Sequence, residues 1–431
     1  MKRKLGQFER AEVISDEYYC FNVVSIYFLD QGPDKDVLRT SLNKLQKRHP
    51  LLRMKIQKKG NKYFYDSQNV PKIPLRILER THDKHWEEVA ESDLNQRLDS
   101  DSGPLIRCTY LFKNPPHTSS ELIFTCHHSI VDATSMLTLF HDTLSFCAAD
   151  EDSQSLEGTV ELPLLPPEEK FFPSAYRGVS GKLHITRFML RQIGDEIAYR
   201  KGTRGKHQAP LHLSGSCRIL PLKMSSQLSE KIISASRKKR ITLNSLFMAS
   251  LLTAVLKLVY KEQELPLRYF TFANLRPYLK PPVQEMNLGS YHSLARFTIS
   301  VNKDKDIWDL AHRINEQIRK GFHRGDKYIS TLLTPQMMKM ITRSKSMRMG
   351  TVALSYTGNI QIPFSYGKIQ ILGTRSYISN FSLGPEYTAA LHLYNKEFWW
   401  DILYLDSDMD HSEALKIAKE IQTILTDATE Q

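Results

Sequence analysis

The stretch Leu122–Met136, "LIFTCHHSIVDATSM", sets two histidines side by side at the end of an apolar run and an aspartate four residues after the second. Composition alone yields a His-His-x-x-x-Asp string roughly 0.03 times in a chain of this length, so the pattern calls for an account. Imidazole titrates near neutrality. It binds metals, and it takes a proton from a hydroxyl or amine as that group attacks a carbonyl. A metal needs a third ligand, and no His-x-x-x-His pair stands anywhere in the chain. Asp406, Asp408 and Asp410 imitate the start of a calcium loop, but His411 stands where the turn needs glycine and Ile417 where it needs glutamate. No metal is expected. Covalent catalysis has no better footing: there is no Gly-x-Ser-x-Gly elbow, and Cys126 lies within a strand pattern. A general base without a covalent enzyme intermediate remains, and His128 is assigned that role. His127 reads as a structural histidine bonded to backbone, and Asp132 as a helix N-cap or the partner of an arginine.

The elements around the pair follow from periodicity. "ELIFTC" is a strand running into the histidines, and Met136, Leu137, Phe140, Leu144 and Cys147 recur at helical spacing after Asp132. Upstream, "FNVVSIYFL" reads as a strand, "DKDVLRTSLNKLQKR" as a helix, and "KYFYD" and "LIRCTYLF" as strands. From Ala149 to Glu169 the chain turns acidic, proline-bearing and aperiodic, which marks a linker. Beyond Leu211, "SSQLSEKIISASRKK" and "TLNSLFMASLLTAVLKLVYKE" read as helices. "LRYFTFAN", "ARFTISV", "TVALSYTG", "AALHLYN" and "EFWWDILYLD" read as strands. "HSEALKIAKEIQTIL" reads as a closing helix, with Asp410 as N-cap and Glu413 completing a capping box.

With 431 residues the chain exceeds one ordinary core, and two subdomains of about 200 residues each are expected. An apolar fraction of 41% and a charged fraction of 25% describe a soluble globular protein. Five scattered cysteines without Cys-x-x-Cys spacing point to a reducing compartment, hence a cytoplasmic protein. The most apolar run, Leu246–Tyr260, is shorter than a membrane span and contains Lys257, so no transmembrane segment is expected. The net charge is +12, and Lys182 to Lys206 holds seven Lys/Arg against two acidic residues. Such a patch suits a phosphate-bearing cofactor, an acidic carrier protein, a membrane surface or nucleic acid, and its plainest reading is a solvated helix face. No nucleic-acid-binding signature accompanies it, so nucleic acid is not expected.

These residues resemble the acyltransferases with a chloramphenicol-acetyltransferase-like fold, which include condensation domains, alcohol O-acetyltransferases and phthiocerol dimycocerosyl transferases. The His-His-x-x-x-Asp-Gly signature of that superfamily appears as His127 to Ala133, with alanine in place of glycine. "LGQFER" resembles its opening segment, and "LNKLQKRHPLLRMKI" its first helix and strand. "ANLRPYL" followed by "NLGSYHS" resembles the segment whose arginine pairs with the signature aspartate. "LSYTGNI" resembles its late Ser-Asn-x-Gly strand, with Tyr356 where asparagine is usual. The Asp-Phe-Gly-Trp-Gly string of plant members is missing.

The resemblance implies an α+β fold of two chloramphenicol-acetyltransferase-like subdomains, each a mixed sheet with flanking helices, meeting at a central tunnel. Residues 1–170 would form the N-terminal subdomain with the histidine motif, 171–210 a linker or crossover, and 211–431 the C-terminal subdomain. It implies transfer of an acyl group from a coenzyme A or carrier-protein thioester to a hydroxyl or amine, with His128 as base at the middle of the tunnel. His127, Asp132 and its partner Arg276 would support the site, and Ser355, Thr357 and Gly358 would offer the oxyanion or tunnel wall. No covalently bound cofactor is implied; acyl-CoA or a phosphopantetheine thioester is the co-substrate. The partners are a small-molecule acceptor and an acyl thioester, with an acyl or peptidyl carrier protein as the other donor source, and the chain would act as a monomer. The alternatives are a free-standing condensation domain making amides and a catalytically silent carrier- or lipid-binding module.

Overall fold

The computed structural model describes residues 1–113, 119–152, 159–206, 211–344 and 348–430. Two six-stranded mixed sheets carry the architecture. One runs Ser365–Tyr366, Ile369–Ile378, Asn22–Leu29, Ser120–His127, Ile106–Phe112, Leu75–Glu79. The other runs His292–Asn302, Glu264–Asn274, Gly350–Asn359, Pro385–Tyr394, Glu397–Leu405, Cys217–Lys223. A three-stranded sheet lies at the N-terminal side.

Asn22–Leu29 is apolar almost throughout because both its faces are covered. Val23, Tyr27 and Leu29 join a core with Leu38, Leu42, Leu139 and Phe140 of two helices, Lys35–Arg48 and Ala133–Asp152. Val24 and Ile26, on the opposite face, join Ile219, Leu403 and Leu405 of the second sheet. That shared cluster holds the two halves together. The second half keeps its own core around Leu243–Val255, whose residues from Ser245 to Val255 are buried. The helical stretch Leu243–Tyr260 is long and apolar enough to cross a membrane, yet most of it lies inside the protein.

The sheets do not follow the expected division of the chain throughout. Ile369–Ile378, from the C-terminal half, pairs with Asn22–Leu29 and so covers what would be an open strand edge of the first sheet. The stretch expected as a linker at 171–210 holds the helix Gly178–Thr203, with 207–210 outside the described residues. The acidic stretch 149–169 begins inside the helix Ala133–Asp152, passes through 153–158 outside the described residues, and ends in a structural task. Glu168 and Glu169 accept from the amides of Phe8 (3.0 Å) and Gln7 (3.2 Å), satisfying free donors at the start of the helix Gln7–Tyr18. Asp410 and Glu413 form the expected reciprocal cap of the last helix.

Candidate active site

The strand Ser120–His127 ends at the register pair His127–Asn22, and His128 donates its amide to Phe21 (3.2 Å) before the chain turns. A short 3-10 turn, His128–Ile130, leads to Asp132, whose carboxylate accepts from the Ser135 amide (2.7 Å) at the start of the next helix. This turn assigns opposite tautomers to the two histidines. His127 Nδ1 accepts from the Ser129 amide (3.1 Å), so its proton sits on Nε2, 3.8 Å from Asp16. His128 Nδ1 lies 3.1 Å from the Val131 carbonyl, which can only accept, so its proton sits on Nδ1 and its lone pair on Nε2.

Glu12 and Asp16 stand one helical turn apart on Gln7–Tyr18 and present two carboxylates to the two histidines. Glu12 Oε1 is 3.3 Å from His128 Nδ1 and accepts from Ser290 Oγ (2.8 Å). Ser290 spends its hydrogen there, so it accepts from His292 Nδ1 (3.3 Å) and leaves the lone pair on His292 Nε2. The rings of His128 and His292 stack at 5.0 Å, and Phe21 stacks on His128 at 5.3 Å. Burial pushes Glu12 well above the carboxylate range; the Ser290 bond opposes this, and Glu168, Glu9 and Asp132 add to it. Burial likewise lowers His128 below its ordinary 6.5, against the bond to Val131, and takes His292 down to about 3 with help from neighbouring His128. Both imidazoles are therefore neutral at physiological pH.

Asp132 pairs with Arg276 as the resemblance implied, through Nε (3.2 Å) and Nη2 (3.1 Å). Arg276 also donates to the carbonyls of Gln284 (2.9 Å) and Asn287 (2.8 Å) and to Ser135 Oγ (2.9 Å). Tyr291 gives its amide to Asp132 (3.1 Å) and lays its ring 4.7 Å from the guanidinium. Burial raises Asp132, but Arg276 and the Ser135 amide outweigh it and hold the carboxyl below its usual range. Arg48 and His49 of the "RHPLLR" segment both bind Asp142 at 2.8 Å, fastening the helix that follows the turn.

His128 stands in the wall between two cavities. One, of about 200 Å³, is lined from both sheets and includes Asp132, Ala133, Tyr356 and Thr357. The other, of about 110 Å³, is largely apolar and includes Phe8, Glu12, Phe21 and Met338. His292, Phe272 and Ser355 border both, as His128 does. Of the three residues expected on the late strand, Ser355 faces both cavities and Thr357 the first, while Gly358 lines neither. Gly358 is explained by its backbone, at φ 84° beside a register shift in the strand, and not by a close approach, since nothing lies within 4 Å of where a Cβ would stand. Ala133 has no left-handed backbone, so this turn does not require glycine.

Two parts of the chain match known families. Residues 11–161 match the condensation domain, and residues 214–392 match the phthiocerol/phthiodiolone dimycocerosyl transferase C-terminus. The chain belongs to the superfamily of condensation domains and acyltransferases with a chloramphenicol-acetyltransferase-like fold. Among solved structures it is similar to polyketide synthase associated protein 5 from Mycobacterium tuberculosis, at 16% identity and TM-score 0.72, covering 99% of this chain and 98% of that one. It is similar to the trichothecene 15-O-acetyltransferase of Fusarium sporotrichioides, at 13% identity and TM-score 0.77, covering 99% and 95%. It is also similar to the first condensation domain of the calcium-dependent antibiotic synthetase, at 13% identity and TM-score 0.68, covering 100% and 96%. No curated protein sequence matches it. Membership of this superfamily supports acyl transfer in general.

Within this superfamily fold, sequence reasoning missed Glu12, Asp16, Ser290 and His292. A signal existed for the first two: acids four apart on a helix side shared with Phe8, Ala11 and Ser15. The structure also brings together a donor set that sequence spacing did not offer. Glu12, His128 and His292 place one ligand atom each within 4.8 Å of one another, which suits a metal ion geometrically. Nδ1 of His128 lies 3.3 Å from Glu12 Oε1 and its proton is held by the Val131 carbonyl, so ligation through Nδ1 would first break that bond.

Proposed function

We propose that the protein is an acyltransferase that moves an acyl group from a coenzyme A or carrier-protein thioester to a hydroxyl or amine, with His128 as general base. The observation that carries this reading is the place of His128 between two cavities, with Nδ1–H held by Val131 and the lone pair on Nε2. Nε2 takes the proton of the acceptor as its oxygen or nitrogen bonds to the thioester carbonyl carbon, giving a tetrahedral oxyanion and an imidazolium. Collapse of that intermediate breaks the carbon–sulfur bond, and Nε2–H returns the proton to the departing thiolate. Such proton handling contributes roughly 10²–10⁴ in rate. Glu12 Oε1, close to Nδ1–H, favours the imidazolium, and Ser355, which borders both cavities, is our candidate donor to the oxyanion. A held oxyanion donor is worth about 3–4 kcal/mol.

Free-thiol release tests the reading, using a panel of acyl-CoA and carrier-bound thioesters with alcohol or amine acceptors, for wild type and His128→Ala. Acceptor-dependent release by wild type that vanishes in the variant is the expected result, and the acceptor that works separates ester from amide formation. No release from any donor would leave a silent binding module of the same fold.

A further inference from the structure

The helix Gly178–Thr203 lies between the two matched family segments and is built inside out. Val179, Leu183, Leu190, Ile193 and Ile197 fall within roughly 80° of one another at 3.6 residues per turn. All five are exposed, Val179 at 85%, Leu190 at 64% and Ile197 at 63%. The C-terminal half of the opposite side, facing the protein, is polar. Gln192 accepts from Arg296 (3.1 Å), Asp195 from Thr298 (2.8 Å), and Glu196 from Arg268. Tyr199 lies 3.7 Å beneath the Arg268 guanidinium. A surface helix ordinarily buries its apolar stripe, so the reversal requires a covering that the other described residues do not supply.

The charges around the stripe select the covering. Lys182 and Arg200 flank one side, Arg187 flanks the other, and Lys201 stands at its end, all exposed. Of the two acidic residues between Lys182 and Lys206, Asp195 is turned inward by its bond to Thr298, and Glu196 is taken up by Arg268 beneath it and by Arg200 (2.7 Å) one turn on. A second copy of the helix would set like charges side by side with no outward carboxylate to meet them. The stripe runs straight for about 27 Å at 1.5 Å per residue, which matches a plane. We propose that this helix docks the protein on an anionic lipid bilayer, lying in the interface with its aliphatic stripe among the acyl chains and its lysines and arginines at the head groups.

Vesicle flotation of the full chain tests this without any turnover, so its failure stands apart from failure of the acyl-transfer reading. The chain should float with phosphatidylcholine vesicles containing phosphatidylserine, and less with phosphatidylcholine alone or at high salt. Leu190→Asp with Ile193→Asp should lower partition at least tenfold with unchanged circular dichroism and Tm, because both side chains are exposed. Lys182→Gln with Arg187→Gln should lower it roughly 25-fold, about fivefold per cation. Failure of the wild type to float with the anionic vesicles, or flotation of the aspartate variant equal to wild type, overturns the proposal. A dimer by light scattering that the aspartate variant splits, in a chain that does not float, assigns the stripe to a second copy and also overturns it.

Discussion

Two buried carboxylates flank the histidine turn, and the protein treats them in opposite ways. Asp132 receives four donors: two from Arg276 and the amides of Ser135 and Tyr291. Glu12 has the Ser290 hydroxyl and the His128 Nδ1 edge on one oxygen, and its other oxygen has no partner among the described residues. The first carboxyl is held down and the second pushed up. Both acids border a cavity, but the saturated ion pair fixes the turn and has nothing left to give a substrate, whereas the unsaturated acid touches the base. Groups whose environments drive their proton affinities apart divide the labour of a site.

The strongest way to break this contrast is to remove His128 and Asp132 separately. His128→Ala should fold with near-wild-type Tm and lose roughly 10²–10⁴ in turnover. Asp132→Ala should strand the Arg276 charge and lose about 3–5 kcal/mol of stability in denaturant titration. Equal stability of the two variants would remove the structural role of the pair. Next, Glu12→Ala should lower kcat roughly 10- to 100-fold through a lost contact to the imidazolium, while Glu12→Gln, which keeps an acceptor oxygen, should lose less.

Titration sharpens the contrast further. The Asp132 pair contributes stability above the unfolded aspartate value of about 3.9 and loses it as pH falls through the lower folded value. Glu12 does the reverse: its contribution is whole below about 4.3 and is lost as pH rises toward its elevated folded value. Differences in Tm between wild type and Asp132→Asn should thus shrink on acidification, and those with Glu12→Gln on alkalinisation. Because His128 is lowered, kcat/KM should rise with a midpoint below 6.5 and stay level above it. A midpoint above 6.5 would contradict the burial of the base. The smallest effect is expected for Ala133→Gly, at most about 1 kcal/mol of helix stability, since this turn does not need glycine.

Much of this was legible in the sequence, for reasons tied to particular residues. The apolar run into His127 and the helical spacing after Asp132 reflect local burial, so the strand–turn–helix unit could be read directly. Arg276 came through the resemblance, because no local pattern links residues 144 apart. Glu12 and His292 were not legible: they meet His128 from a helix 116 residues before it and a strand 164 residues after it, and their proton affinities depend on burial that exists only in the fold. The same limit hid the reversed helix. The seven basic residues from Lys182 to Lys206 read as a solvated face until the structure turned Asp195 inward, tied Glu196 to Arg268 and Arg200, and set the aliphatic stripe outward.

The central claim is that one backbone turn gives neighbouring histidines opposite tautomers, so that His128 alone of the pair offers a lone pair at Nε2. Imidazole nitrogen-15 spectra of the labelled protein near pH 7, assigned with His127→Gln and His128→Gln, test it directly. The account predicts a protonated Nδ1 and an unprotonated Nε2 for His128, and the reverse for His127. A protonated Nε2 on His128 would contradict it.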